Sequence, residues 1–200
     1  MEIVLATGNM HKLREISEIL PGHRIVLPTE YGITFAYEET GTTYLDNAFG
    51  KANELFRLVK RPVIADDSGI SVPALGGAPG VYSARFGSEE GGSDLDDVGR
   101  YELLLERMRG SADRSAFYVC CMVLILEDYR FFVCQETLHG ELTEVPAGSG
   151  GFGYDPIFLL PDRHKTVAQI SAQEKHAISH RGKAGRRVGE ILTAIHGGPS

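Results

Sequence analysis

Cysteine is scarce in this sequence and is never spaced for a metal. The three thiols, Cys120, Cys121 and Cys134, form no CxxC or CxxH pattern. That removes the common zinc and dithiol readings and leaves thiols buried in a core. No apolar run approaches the roughly 20 residues of a membrane-spanning helix. The stretch EIVLA after Met1 is too short for a secretory signal. An odd cysteine count without such a signal predicts a reducing, cytoplasmic setting. Positive charge is not in excess either: 20 Lys and Arg against 27 Asp and Glu leave a net charge of −7. General nucleic-acid binding and membrane association are therefore not expected. The phosphate-loop spacing GxxxxGK[ST] is absent, as are internal repeats and any linker long enough to divide the chain. What remains is a chain of 200 residues, 42% hydrophobic and 24% charged. This fits one domain over residues 1–200, with two lobes at most.

Residues 2–6 read as a short buried strand, and TGNM as a turn. Leu13, Ile16, Ile19 and Leu20 recur at helical spacing from Lys12 to Leu20, and Pro21-Gly22 stops that helix. Short strand-like pieces follow over 24–37, broken by Pro28 and Gly32. Leu45, Ala48, Phe49, Ala52, Leu55, Phe56 and Val59 then make a helical stripe, capped by Thr42 or Thr43. Asn47 and Lys51 are four apart and share a face of it. The next strand, PVIA, runs into ADDSGI, and GGAPG is a turn. The acidic, glycine-rich stretch 87–99 reads as a solvated loop leading into a helix around 95–108. Residues 115–126 and 130–138 predict an antiparallel pair in the sheet centre. Thr166 onward is mostly helical, with Ser179 capping a last helix that ends near His196. Alternating strands and helices followed by long paired strands predict an α/β protein with a mixed sheet.

Five constellations can carry chemistry. In Thr7-Gly8-Asn9-Met10-His11-Lys12 the strand turns sharply into a helix start. Side-chain donors, N–H groups and Lys12 could meet a phosphate there. Taken alone, it fits a turn with a surface lysine better. Asp66 and Asp67 end an apolar strand before Ser68 and Gly69. Adjacent strand residues face opposite ways, so one carboxylate would serve a site and the other the structure. Oxygen ligands of this kind suit Mg²⁺, and a turn cap fits about equally well. Glu38 and Glu39 matter only if one of them joins Asp67. Phe152, set among glycines in GGFGYDP, offers a flat ring on a flexible loop to stack on a base, and a packed ring fits about as well. Ser179 as cap places His180 and Arg181 in a first helical turn. Cations normally avoid that end, which hints at an anionic ligand, with a basic helical surface continued by Arg186 and Arg187 as the alternative.

In this order, the segments TGNMHK, EETGTTYLDNAFGKA, ADDSGI, GGAPGVYSARF, GGFGYDPIF and ISHRGKA resemble the inosine triphosphate pyrophosphatase family, its bacterial branch in particular. The resemblance covers nearly the whole chain. It implies an elongated central mixed sheet flanked by helices, two lobes around an active-site cleft, a homodimer, and Mg²⁺ as cofactor. It implies that Thr7, Gly8, Asn9, Met10, His11 and Lys12 bind the triphosphate, with Lys51 on a phosphate and Ser68 nearby. Glu39 and Asp67 would hold the metal, Asp67 doubling as general base. Phe152, Gly153, Tyr154, Asp155, Lys175, His180 and Arg181 would form the nucleoside pocket. The implied reaction is hydrolysis of ITP, dITP and XTP to monophosphate and pyrophosphate by water attack at the α-phosphorus, cleansing the nucleotide pool. Two rivals stand beside it. One is a related pyrophosphatase for modified pyrimidine or methylated guanine nucleotides. The other is a non-catalytic nucleotide sensor or RNA binder using Lys183, Arg186 and Arg187.

Overall fold

The computed structural model describes residues 1–88 and 94–196, the side chain of residue 196 excepted. Residues 89–93 of the acidic stretch lie outside that description. Seven strands form one sheet in the order β2-β1-β3-β4-β5-β6-β7. They are β1 (Glu2–Leu5), β2 (Arg24–Val26), β3 (Val63–Ser71), β4 (Ser115–Glu127), β5 (Arg130–Leu142), β6 (Phe158–Leu160) and β7 (Lys165–Thr166). The helices are α1 (Met10–Ile19), α2 (Tyr44–Val59), α3 (Asp97–Arg107), α4 (Ala172–Ile178) and α5 (His180–His196). β1 pairs in parallel with β2 and β3. β5 pairs antiparallel with β6, and β6 with β7. The sheet is therefore mixed, as expected. Helices carry the chain between the parallel strands, because a parallel pair needs a long crossover. β4 and β5 are neighbours joined by Asp128 and Tyr129 alone, a connection only an antiparallel pair can use. No helix is long and apolar enough to cross a membrane among the described residues.

The chain divides into two compact units. The first holds Met1–Asp67, Cys120–Glu136 and the chain from Ser179; the second holds Ser68–Val119 and Thr137–Ile178. In the first unit the two-residue period of the strands sorts side chains onto two faces. Ile3, Leu5, Ile64, Cys120, Met122 and Leu124 pack with Ile16 and Leu20 of the α1 region and with Ala184, Val188 and Leu192 of α5. Val4, Ala6, Val63, Ala65, Cys121, Val123 and Ile125 pack instead with Ala48, Ala52, Leu55 and Phe56 of α2. Adjacent cysteines can both be buried because each enters a different layer, and all three thiols are free and buried. Burial pushes the Cys121 thiol up to about 11, helped by the charges of Asp67 and Asp66. The second unit has its own core, in which Phe86, Leu104, Met108, Tyr118, Leu142 and Phe158 take part.

Three local expectations change. α1 starts at Met10, not Lys12, because Asn9 caps it: Asn9 Oδ1 accepts from His11 N at 2.8 Å and Lys12 N at 3.3 Å. α3 is confined to Asp97–Arg107, capped by Asp96. β3 does not end at its carboxylates but continues through Ser71, buried on both faces. Asp is a poor strand former, and it is tolerated here because each carboxylate meets partners in its own layer.

Candidate active site

β3 presents its two carboxylates to opposite layers, as the strand period requires. Asp66 follows Ile64 and points to the α1 and α5 layer. Asp67 follows Ala65 and points to the α2 layer. Both are buried, at 1% and 4% exposure.

Asp66 is surrounded by donors. Its Oδ2 accepts from Lys12 Nζ at 3.1 Å and from Arg181 Nε and Nη2 at 3.2 and 3.1 Å. The Cys120 thiol lies 3.9 Å away. Its main-chain oxygen accepts from Lys51 Nζ at 3.2 Å and Lys12 Nζ at 3.4 Å. Arg181 continues the chain of charges through Nη1 to Glu15 at 2.6 Å. Burial alone would push the Asp66 carboxyl up. Lys12, Arg181 and Lys51 outweigh it and hold the group well below the usual carboxylate range. Three cations thus converge on one strand residue, supplied by α1, α2 and α5. Asp66 Oδ1 has no hydrogen-bond partner among the described residues.

Asp67 has the opposite balance. Its Oδ2 accepts from Asn47 Nδ2 at 3.0 Å. Burial, then the charge of Glu39, push its carboxyl up to about 6, against the Asn47 hydrogen bond and the Lys51 and Lys12 charges. Glu39 is brought in by the EETG loop, where it pairs with Lys51 Nζ. Gly41 permits the approach: a Cβ there would sit 2.6 Å from both Asn47 Oδ1 and Asp46 Cβ. Asn47 Oδ1 also accepts from Gly41 N at 2.8 Å, locking the loop to α2. Burial would lower the Lys51 ammonium, but Glu39 and Asp66 raise it above its usual range, so it stays charged.

Among the described residues no group of three or more His, Cys, Asp or Glu side chains is arranged to hold a metal. Glu39 and Asp67 are a pair of oxygen donors. A pair suits Mg²⁺, which keeps several waters, better than it suits zinc. A carboxyl raised by burial beside a second carboxylate is also a site that a divalent cation would relieve. The donor set therefore fits the metal that the resemblance implies.

The first motif forms the start of α1. Thr7 Oγ1 accepts from Asn9 N at 3.0 Å, and Asn9 Oδ1 caps the helix. These two oxygens act as acceptors that shape the turn. Gly8, Asn9, Met10 and His11 are exposed. The first turn carries no acidic residue, although acids are what the positive end of the helix dipole favours. Ser179 Oγ accepts from Gly182 N at 3.0 Å, capping α5 as expected. His180 and Arg181 are buried, while Arg186 and Arg187 are exposed.

In the second unit the GGFGYDP loop is hydrogen-bonded to its surroundings at several points. Gly150 N donates to Ala168 O at 3.0 Å and Gly153 N to Asp97 Oδ2 at 2.7 Å. Tyr154 OH donates to Ser83 O at 2.8 Å. Asp155 Oδ2 accepts from Phe152 N at 2.9 Å and from Lys175 Nζ at 2.7 Å. Gly151 has φ 72°, and a Cβ there would sit 2.0 Å from Asp155 Oδ2, so only glycine fits. Lys175 Nζ lies 4.5 Å from the centroid of the half-buried Phe152 ring, within cation–π reach. Ser68 is partly exposed on β3.

The structure adds Asp66, Asn47, Glu15 and Tyr118 to the neighbourhoods of the expected residues. Asn47 had a signal, its four-residue spacing from Lys51. Glu15, three residues after Lys12 on α1, and Tyr118, inside an apolar strand, had none.

A buried acidic pair on a mixed α/β sheet, with Lys12 and Arg181 on one carboxylate and Lys51 on the same residue's main-chain oxygen, fits the class of phosphate-handling α/β proteins. The chain belongs to the Ham1 family, which it matches over residues 3–191. It is 52% identical over 184 residues to the dITP/XTP pyrophosphatase of Treponema denticola, covering 92% of this chain and 94% of that one. It is 46% identical over 189 residues to the dITP/XTP pyrophosphatase of Escherichia coli K12, covering 92% and 93%. Among solved structures, a HAM1 protein from Coxiella burnetii superposes with a TM-score of 0.88 at 38% identity, covering 97% of this chain and 99% of that one. The Staphylococcus aureus Ham1 protein gives 0.87 at 37% identity, covering 98% and 100%.

Proposed function

We propose that this protein is a Mg²⁺-dependent pyrophosphatase for non-standard purine nucleoside triphosphates. It hydrolyses dITP, XTP and ITP to the monophosphate and pyrophosphate. The observation that carries the reading is the division of labour on β3. Asp66 gathers Lys12, Lys51 and Arg181, while Asp67 sits beside Glu39 with its proton affinity raised to about 6. The names of the relatives support the substrate class.

Glu39 and Asp67 hold the metal, which when bound supplies charge neutralisation for the triphosphate. Thr7 to Lys12 and Lys51 bind the phosphates, with Ser68 nearby. Water attacks the α-phosphorus. A new P–O bond forms, the bridging bond to the β-phosphate breaks, and pyrophosphate leaves. Asp67 accepts the water's proton as general base. Most of the remaining catalysis is positioning and charge balance. Phe152 stacks on the base, and Gly153, Tyr154, Asp155 and Lys175 frame that loop. Donors from the His180–Arg181 segment recognise the 6-keto oxygen. Adenine offers an amino donor there instead, and facing buried donors discriminate by about 10⁴-fold in the best cases. The Arg181 guanidinium nitrogens already meet Asp66 and Glu15, so we assign this recognition to His180 and the main chain at the start of α5. We also propose a cytoplasmic homodimer. Light scattering at about twice the 21.8 kDa chain mass checks the dimer.

The test is incubation with dITP, XTP, ITP, ATP, GTP, methylated GTP and dTTP, with and without Mg²⁺, followed by product analysis. Monophosphate and pyrophosphate from the first three, only with metal, are expected. Stepwise phosphate release would overturn the mechanism. Turnover of dTTP or methylated GTP instead would overturn the substrate class. Tight ITP binding without turnover would leave only a sensor.

A further inference from the structure

We propose that Tyr118 is a positioning residue for purine recognition; the inference rests on the reading that Phe152 and Lys175 serve the base. Tyr118 carries a hydroxyl into the middle of the apolar strand SAFYVCCMVLIL, at 6% exposure. Its ring is fixed against Phe158, with centroids 4.4 Å apart. Its hydroxyl donates to Asp155 Oδ1 at 3.2 Å. The other oxygen of that carboxylate accepts from Lys175 Nζ at 2.7 Å and from Phe152 N at 2.9 Å. A carboxylate held through one oxygen can still turn about its Cβ–Cγ bond, whereas one held through both has its plane fixed. Tyr118 supplies the second hold. It thereby sets the Lys175 ammonium over one face of the Phe152 ring, 4.5 Å from the centroid, and the base stacks on the opposite face. Lys175 and Asp155 are 7% and 3% exposed, so any freedom gained by the carboxylate passes directly to the ring and the cation packed with it.

Tyr118→Phe tests this, because it keeps the ring and removes only the hydroxyl. The expected result is a KM for dITP and XTP raised about threefold to tenfold with kcat within about twofold, the size of one typical hydrogen bond felt at the base through Asp155. Inhibition by inorganic tripolyphosphate, which has no base, should stay within about twofold. Hydrogen exchange at the Phe152 amide should become several-fold faster. A lowered melting temperature with unchanged KM and unchanged exchange would mean a purely structural role and would overturn the proposal. So would a parallel loss of nucleotide and tripolyphosphate affinity. A wild type inert towards dITP and XTP would sink the proposed function instead. The exchange rate would then still decide whether Tyr118 places the Phe152 loop: faster exchange upholds that placement, and unchanged exchange overturns it.

Discussion

Asp66 and Asp67 are chain neighbours with the same chemistry, yet the two faces of β3 treat them in opposite ways. On one face Lys12 and Arg181 share the Asp66 carboxylate, and burial is overcompensated. On the other face Asp67 has the Asn47 amide as its hydrogen-bond donor and Glu39 as a like-charged neighbour. The first arrangement stabilises an ion; the second holds a carboxyl that is costly to ionise and ready to take a cation or a proton. Environment, not residue type, separates a structural counter-ion from a reactive group.

Asp67→Asn should break the comparison most severely. We expect pyrophosphate release to fall by about 10²–10⁴-fold, with no loss of melting temperature in the metal-free protein at neutral pH, because the asparagine keeps an oxygen for the Asn47 donor and removes a carboxyl whose ionisation burial and Glu39 oppose. Asp66→Asn should do the reverse in stability. It strands the partly buried Lys12 and the buried Arg181, and such breaks cost about 3–5 kcal/mol; chemical denaturation measures this. An unchanged denaturation midpoint would contradict the account of Asp66.

Titration sharpens the contrast. The Asp67 carboxyl is raised from 3.8 to about 6. Its contribution to stability is therefore complete below the unfolded value and is lost as pH rises through about 6. The Asp66 carboxyl is lowered, so its contribution is present above the ordinary carboxylate range and disappears only in strong acid. Between about pH 4 and pH 7 the metal-free wild type should lose on the order of 2–3 kcal/mol relative to Asp67→Asn. Mg²⁺ should restore part of that loss at the upper end, since a ligand of the folded state stabilises it. A flat difference between the two proteins across this range would refute the Asp67 environment.

Smaller effects lie away from β3. Phe152→Ala should raise KM for XTP about tenfold with little change in tripolyphosphate inhibition, because stacking on one aromatic contributes about 1–3 kcal/mol per base. Arg187→Ala removes exposed pairs with Glu136 and Glu190. It should leave activity unchanged and shift the melting temperature by no more than about a degree.

Much of this was legible beforehand. The apolar stripe of α2 follows helical spacing, Thr43 caps it, and Asn47 and Lys51 fall on its buried face as their separation requires. The opposite orientation of Asp66 and Asp67 follows from strand period alone. The full extent of β3 is not legible in the sequence, because two aspartates and a glycine carry turn chemistry that buried partners override. The hydrogen bonds of the GGFGYDP loop are not legible in the sequence, because its partners Asp97, Ser83 and Ala168 are distant along the chain and announce nothing locally.

The amino-acid sequence by itself determined the elements, the α/β class, the ordered motifs and the placement of one carboxylate on each side of a strand. These depend on short-range periodicity and local backbone preference. Which carboxylate is pinned and which is raised was decided only by tertiary structure. Lys12, Glu15, Glu39, Lys51 and Arg181 reach β3 from separate elements, and electrostatic environment depends on distance in space, not on separation along the chain.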